Sequence, residues 1–306
     1  MGISSLIRKI SQCGRAWAAK PPRVWQSRHV CLWAMLALLL VDCSNIFAPL
    51  SNKNTDDALY EDAKKAIDRK DYDTALADFA KLSPARLADR TVADDYAGAL
   101  AGKCGMDFAT MYDVISTTNF GGAPFFKILM NLFTGVPVAP TFCTQAEAQM
   151  KANWAINPAT TGEQLFMVLL SMSKIGAYLR NKADHDGTGN LGDGSTDATF
   201  TSCGNVNDTS HLTDAEVAEV VTGFSLLLLN IGSFAGSLGL SSTVTNMNAL
   251  CNLLPAGSCA TTDATTVSAT MITDFRDLLA TTTGQSQAPV GIGTCVDPTP
   301  ILLCCP

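Results

Sequence analysis

Eight cysteines spread between positions 104 and 305 constrain this 306-residue chain more than any other feature. They are Cys104, Cys143, Cys203, Cys251, Cys259, Cys295, Cys304 and Cys305. An even number in an exported chain reads as a disulfide framework, because such cross-links persist only in oxidising compartments. Zinc is the competing use, and it asks for closely spaced thiolate and imidazole ligands. Here no Cys-x-x-Cys pair occurs, Cys304 and Cys305 are adjacent, and only three His exist, His29, His185 and His211. Eight cysteines allow on the order of a hundred pairings, so most of the connectivity stays open. Two pairs are suggested locally. Cys251 and Cys259 bracket a Pro- and Gly-containing loop, and Cys104 with Cys143 would staple two helical segments.

The N-terminus carries the matching export signal. A basic leader (Arg8, Lys9, Arg15, Lys20, Arg23, Arg28) precedes a 12-residue apolar run, Val30 to Val41. That is the order of a secretory signal: charged region, short apolar region, cleavage point. As a helix the run rises only ~18 Å, short of the ~30 Å hydrocarbon core, so it is read as cleaved and not as a span. Leu40-Val41-Asp42-Cys43, followed by polar Ser44-Asn45, resembles the lipobox of bacterial lipoproteins, with Asp42 where that family carries a small residue. The resemblance implies that Cys43 is acylated and becomes the mature N-terminus. Because Ser44 and not Asp follows it, the resemblance also implies the outer membrane, on the periplasmic side or at the surface. Without that resemblance the leader is an ordinary secretory signal and Cys43 a plain thiol. The expected organisation is a signal peptide at 1–42, a tether at 43–54, a helical domain at 55–280 and a Cys-containing irregular tail at 281–306.

Removal of the leader leaves 15 basic and 27 acidic residues, a net charge of −12. Such a surface lacks the basic footprint that phosphate contacts need, so nucleic acid is excluded as a partner. Helical periodicity runs through the rest of the chain. Leu59, Ala63, Ala66 and Ile67 recur at three- and four-residue spacing, and a second helix from Asp71 is expected to turn Leu76, Phe79, Ala80 and Leu82 inward and to end at Pro84. Helices are further expected over 92–103, 106–115, 125–133, 145–155, 162–182, a segment opened by the Thr213/Glu216 capping box, and 264–280. The 162–182 helix is expected to bury one face, Leu165, Val168, Leu169, Met172, Ile175, Gly176 and Leu179. No segment alternates as a sustained strand, so the fold class is all-α: an irregular multi-helix body with an N-terminal helical hairpin, disulfide-stapled loops and a C-terminal tail.

Asp71-Tyr72-Asp73-Thr74-Ala75 with Phe79, and Ala63 in the preceding helix, resemble one tetratricopeptide repeat over about 56–84. A single repeat cannot bury its faces in the way a stacked array does, so the resemblance implies a hairpin docked on a larger helical body. The chain is also similar to lipoproteins of delta-proteobacterial type, which share such an anchor, alanine-rich helices and an Asp/Gly loop. That likeness implies no activity.

The segment from Asp184 to Asp197 (DHDGTGNLGDGSTD) resembles an EF-hand-like calcium loop. Calcium takes six to eight oxygens, and alternate inward residues supply them. The resemblance assigns ligand positions to Asp184, Asp186 and Thr188, a backbone carbonyl to Asn190, the sharp turn to Gly189 and a hydrophobic pin to Leu191. Ser195 stands where the family has its bidentate Glu, so Asp193 or Asp197 is left as the substitute. The competing reading is an Asp/Gly-rich surface turn. Metalloprotease, P-loop, dinucleotide-binding and nucleophile-elbow motifs are all absent from the sequence. His185 and His211 read as exposed loop residues, and Asp56-Asp57 and Asp94-Asp95 as helix-start or solvated carboxylates. The expected function is therefore not enzymatic. It is a lipid-anchored interaction or scaffold module with a protein or peptide partner. The alternatives are a carrier of a small apolar ligand among Phe125, Phe126, Phe166, Met172 and Phe224, or a metal-dependent enzyme using Asp184, Asp186 and His185.

Overall fold

Polar side chains placed just before apolar runs set where most of the helices begin. The computed structural model describes residues 52–117, 124–186, 189, 191–204, 211–252, 254–283, 290–296 and 304–305. The signal at 1–42, Cys43 and most of the tether lie outside these residues. Helix α1 (Asp56–Asp68) starts where Thr55 accepts from the Ala58 N–H at 3.3 Å, and α2 (Tyr72–Phe79) where Asp71 accepts from Thr74 at 3.2 Å. Each such cap supplies a partner to an orphan donor and is worth about 1 kcal/mol. Pro84 does not close α2. It opens the one-turn helix α3 (Pro84–Leu87), where its missing N–H costs nothing, and Ser83 caps that turn. Ala80, just past the end of α2, is exposed and not inward as the periodicity suggested.

Helix α4 (Arg90–Cys104) ends at Gly105, whose φ of 112° is open to glycine and strained for other residues. It is followed by α5 (Phe108–Thr117), α6 (Phe125–Asn131), α7 (Pro140–Ile156), α8 (Thr161–Ala183), α9 (Asp214–Ile231), α10 (Ser241–Cys251) and α11 (Ala269–Ala280). The fold is all-α, with eleven α-helices among the described residues. One short parallel pairing joins β1 (Thr281–Thr283) to β2 (Cys295–Val296). The expected 264–280 helix is broken: a 3-10 turn at Ala264–Thr266 stops at Val267, and Ser268 caps α11 anew. No described helix is long and apolar enough to cross a membrane.

Two apolar clusters share α4 as a wall. On one side Val92 and Ala99 meet Leu59, Tyr60, Ala63, Ala66, Ala75, Phe79 and Leu82 of the N-terminal hairpin. On the other, Ala97, Leu100 and Ala101 join the main core. Tyr72 lies so close over Gly102 that a Cβ there would sit 2.2 Å from its ring, which fixes the hairpin against α4.

Helix α8 is the axis of the main core. It packs against α9, α6 and α7, and every residue from Met167 to Arg180 is buried. The expectation of a single buried face is thus corrected: α8 is enclosed all round. Its polar residues survive there because partners from other helices meet them. Lys174, with no exposed surface, donates to Glu147 at 2.7 Å and to Thr222 at 2.7 Å, and pairs with Glu219 at 2.5 Å, joining α7, α8 and α9. At Gly176 the backbones of α8 and α6 touch; a Cβ would stand 2.2 Å from the Leu129 carbonyl oxygen. Helix α6 is an interior element, with Phe125, Phe126, Ile128, Leu129 and Met130 buried.

Four disulfides join the eight cysteines: Cys104–Cys143, Cys203–Cys305, Cys251–Cys259 and Cys295–Cys304. The tail is strapped over the end of α11. The N–H groups of Ile292 and Gly293 both donate to Leu279 O at 2.9 Å, and Val290 O accepts from Phe126 N at 2.9 Å.

Candidate functional site

The C-terminus of α8 leads directly into the acidic loop. Asp184 caps the helix and is fully buried. Its two carboxylate oxygens accept from the backbone N–H groups of Asp193 at 2.8 Å and Gly194 at 3.0 Å. This fold-back requires glycine, since Gly192 has a φ of 71° and a Cβ on it would meet Asp184 O at 2.6 Å. Gly189, the expected sharp turn, also has a φ of 71°. Leu191 is half-buried, and it anchors the loop through its carbonyl, which accepts from Gly135 N at 2.9 Å and Arg180 Nε at 3.2 Å.

Asp197 returns to the same point. Its N–H donates to Ala183 O at 2.7 Å, and its Oδ2 accepts from His185 N at 3.1 Å and lies 2.6 Å from His185 Nδ1. One carboxylate oxygen each from Asp184, Asp186 and Asp197 then lie within 4.8 Å of one another. Asp184 and Asp197 are buried there while Asp186 is exposed. The Asp186 carboxyl is pushed above its ordinary range, chiefly by its contact with the Asp197 carboxyl and then by partial desolvation. Of the six expected ligand residues the structure thus brings three together. Asp193 is turned out and accepts from Ser195 N at 2.8 Å instead, because its short side chain closes its own turn. Thr188 and Asn190 lie outside the described residues.

Two sequence expectations about titratable groups need correction. His211 is buried: its Nδ1 accepts from Thr201 N at 3.2 Å and its ring packs on Phe200. His185 is about half exposed and is held on Asp197. Asp94 is also not on a solvated face. The Asn153 amide donates to Asp94 at 2.9 Å and to Glu163 at 3.1 Å, setting the two carboxyls side by side, while Arg90 clamps Glu163. Burial and the Glu163 charge raise Asp94 to about 6. Burial also pushes Glu163 up, but hydrogen bonds from Arg90 and Thr160 outweigh it and hold it near 2, Thr160 being its partner in the capping box. Sequence distance hid this pair, since Asp94 sits on α4, Glu163 on α8 and the bridging Asn153 on α7.

A groove of about 470 Å³ opens between the N-terminal hairpin and the body. Tyr72, Met106, Met111, Leu132 and Val138 line it, with Lys70, Lys103 and Asp107 among its charged residues. Lys70 pairs with Asp107, and Lys103 with Asp73 at 2.7 Å. Helix α5 contributes Thr110 and Met111 to the wall and exposes Phe108 and Tyr112, one turn apart, with 53% and 59% of their surfaces in solvent. The aromatic residues expected to line a ligand cavity are elsewhere and packed on each other: Phe125 to Phe126 at 5.4 Å and Phe126 to Phe224 at 5.9 Å between ring centroids.

No protein-family model matches the chain, and comparison with curated proteins and with solved structures gives no match.

Proposed function

We propose that the protein is an exported, lipid-anchored, non-enzymatic interaction module that receives a partner peptide at the groove beside α5. The observation that carries this reading is the pair Phe108 and Tyr112. Large aromatic side chains left in water, adjacent on one helix and next to an apolar groove with a charged rim, are the usual anchors of an interface. The apolar helix α6 is consumed by the core, which leaves the hairpin side of the body as the contact face. The leader and Cys43 supply the address, with Cys43 acylated at the outer membrane and the tetratricopeptide-like hairpin forming one wall of the groove.

Two measurements test the reading. Intact mass of the protein from detergent-extracted envelopes should begin at Cys43 with acyl chains attached and gain eight protons on reduction. A mass beginning elsewhere without lipid removes the anchor. Photo-crosslinking from position 112 in the full chain should give one discrete adduct that is lost in Phe108→Ala, while a probe at exposed Lys64 gives none. Equal labelling from both positions would dismiss the groove as the contact face.

A further inference from the structure

We propose that Asp184, Asp186 and Asp197 hold a calcium ion at the C-terminal end of α8. The convergence of three carboxylates would not carry this alone. Asp197 adds an independent fact: its side chain is only 4% exposed, yet its Oδ1 is fully buried and has no hydrogen-bond partner. A buried carboxylate oxygen without a donor is costly unless a cation meets it. Asp197 is not short of neighbours in general, because His185 supplies two contacts to Oδ2. It is the second oxygen that lacks a partner, and its carboxylate is one of the three that converge.

The charge balance points the same way. Asp184 and Asp197 act on the buried Arg180 guanidinium, whose Nε is directed to the Leu191 carbonyl, Asp197 also meets the half-exposed His185 ring, and the charges of Asp184, Asp193 and Asp197 all bear on Asp186. An excess of carboxylates with oxygen-only donors selects a hard cation. Calcium suits this loop better than magnesium. Asp184 is already held by two N–H donors, and the backbone around Gly189, Gly192 and Gly194 is irregular, so the site cannot contract to the ~2.1 Å octahedron magnesium demands. Exposed Asp186 provides the entry side, and water completes the six to eight oxygens calcium takes. The competing account is that a proton shared by Asp186 and Asp197 holds them together.

The test is thermal unfolding and calorimetric titration of the full chain, in chelator and then in ~10 mM calcium or magnesium at constant ionic strength. With three carboxylates a dissociation constant on the order of 0.1–1 mM is expected, and ~10 mM calcium should raise Tm by about 3–8 °C. Asp186→Asn, at an exposed position, should fold and lose at least about tenfold in affinity; Asp197→Asn should abolish binding. A calcium shift under ~1 °C in the unaltered chain overturns the proposal, and so does an equal shift in Asp186→Asn. An equal response to magnesium overturns the assignment to calcium. If Asp186→Asn stabilises the chain in chelator while the unaltered chain ignores calcium, the shared proton is the correct account.

Discussion

Replacing Lys174 by Met should destabilise the protein far more than its removal from a surface would. Met keeps most of the aliphatic volume, so the cavity term is small, and the loss is electrostatic. In the native core the ammonium meets Glu147, Glu219 and Thr222 with no access to water. Removing it leaves two carboxylates facing each other across α8. Breaking a buried pair by deleting one partner costs about 3–5 kcal/mol. The low end applies here, because Glu147 keeps Lys151 at 2.5 Å and Glu219 is 18% exposed and can recruit water. A loss of about 3 kcal/mol corresponds to a fall in Tm of ~6–12 °C for a domain of this size. Thermal unfolding at neutral pH with disulfides intact reads it, and the difference should persist at ~1 M salt, since buried charges are poorly screened. The double variant Lys174→Met, Glu147→Met should recover part of the loss. A Tm within ~2 °C of the unaltered protein, or a double variant less stable than the sum of its parts, would refute the idea that Lys174 is the countercharge of this core.

Further outcomes follow from the same kind of reading. Asp94 is raised to about 6 from 3.8, so the folded state holds its proton more tightly than the unfolded chain, and stability is lost as pH climbs from about 4 to 6. Asp94→Asn removes that loss; allowing for its partial exposure, it should gain roughly 1 kcal/mol at pH 7 and almost nothing at pH 4, and a variant weaker at pH 7 would contradict this. Glu163 acts in the opposite sense, since its lowered carboxyl stabilises the fold above pH ~4.5 and stops doing so as pH falls toward 2. Gly176→Ala should cost more than about 2 kcal/mol or prevent folding, because its Cβ meets the Leu129 carbonyl, whereas Gly98→Ala has open space around it and should gain about 0.5–1 kcal/mol from helix propensity. Denaturant midpoints of the two variants should therefore move in opposite directions.

Local chemistry made most helices legible. Thr160 with Glu163 and Thr213 with Glu216 are capping boxes that can be read directly, and both form. Helix α10 has no capping side chain and a β-branched, Asn-containing start, so nothing announced it. The enclosure of α8 was illegible because Lys174 and Arg180 look like a solvent face until partners from distant segments reach them. In the acidic loop the residue types were legible, but which of Asp193 and Asp197 turns inward depends on the Ala183 carbonyl that Asp197 meets. Asp94 was misread for the same reason as Lys174: its neighbours Glu163 and Asn153 come from other helices.

The pattern of cross-links bears on how the chain must be made. Three of the four bonds join cysteines that are neighbours in the sequence, Cys104–Cys143, Cys251–Cys259 and Cys295–Cys304. The fourth spans 102 residues, from Cys203 to Cys305, and encloses two of the others. Among the eight cysteines from Cys104 on, pairing in order of emergence closes the first bond correctly and then joins Cys203 to Cys251 in error. Cys203 must instead stay reduced, or be released by thiol exchange, until Cys305 has arrived. Where exchange is the route it runs on a scale of seconds to hours, and by either route the set of bonds cannot close before Cys305 is available. Loss of both Cys304 and Cys305 would leave Cys295 and Cys203 without their partners and the strap over α11 untied.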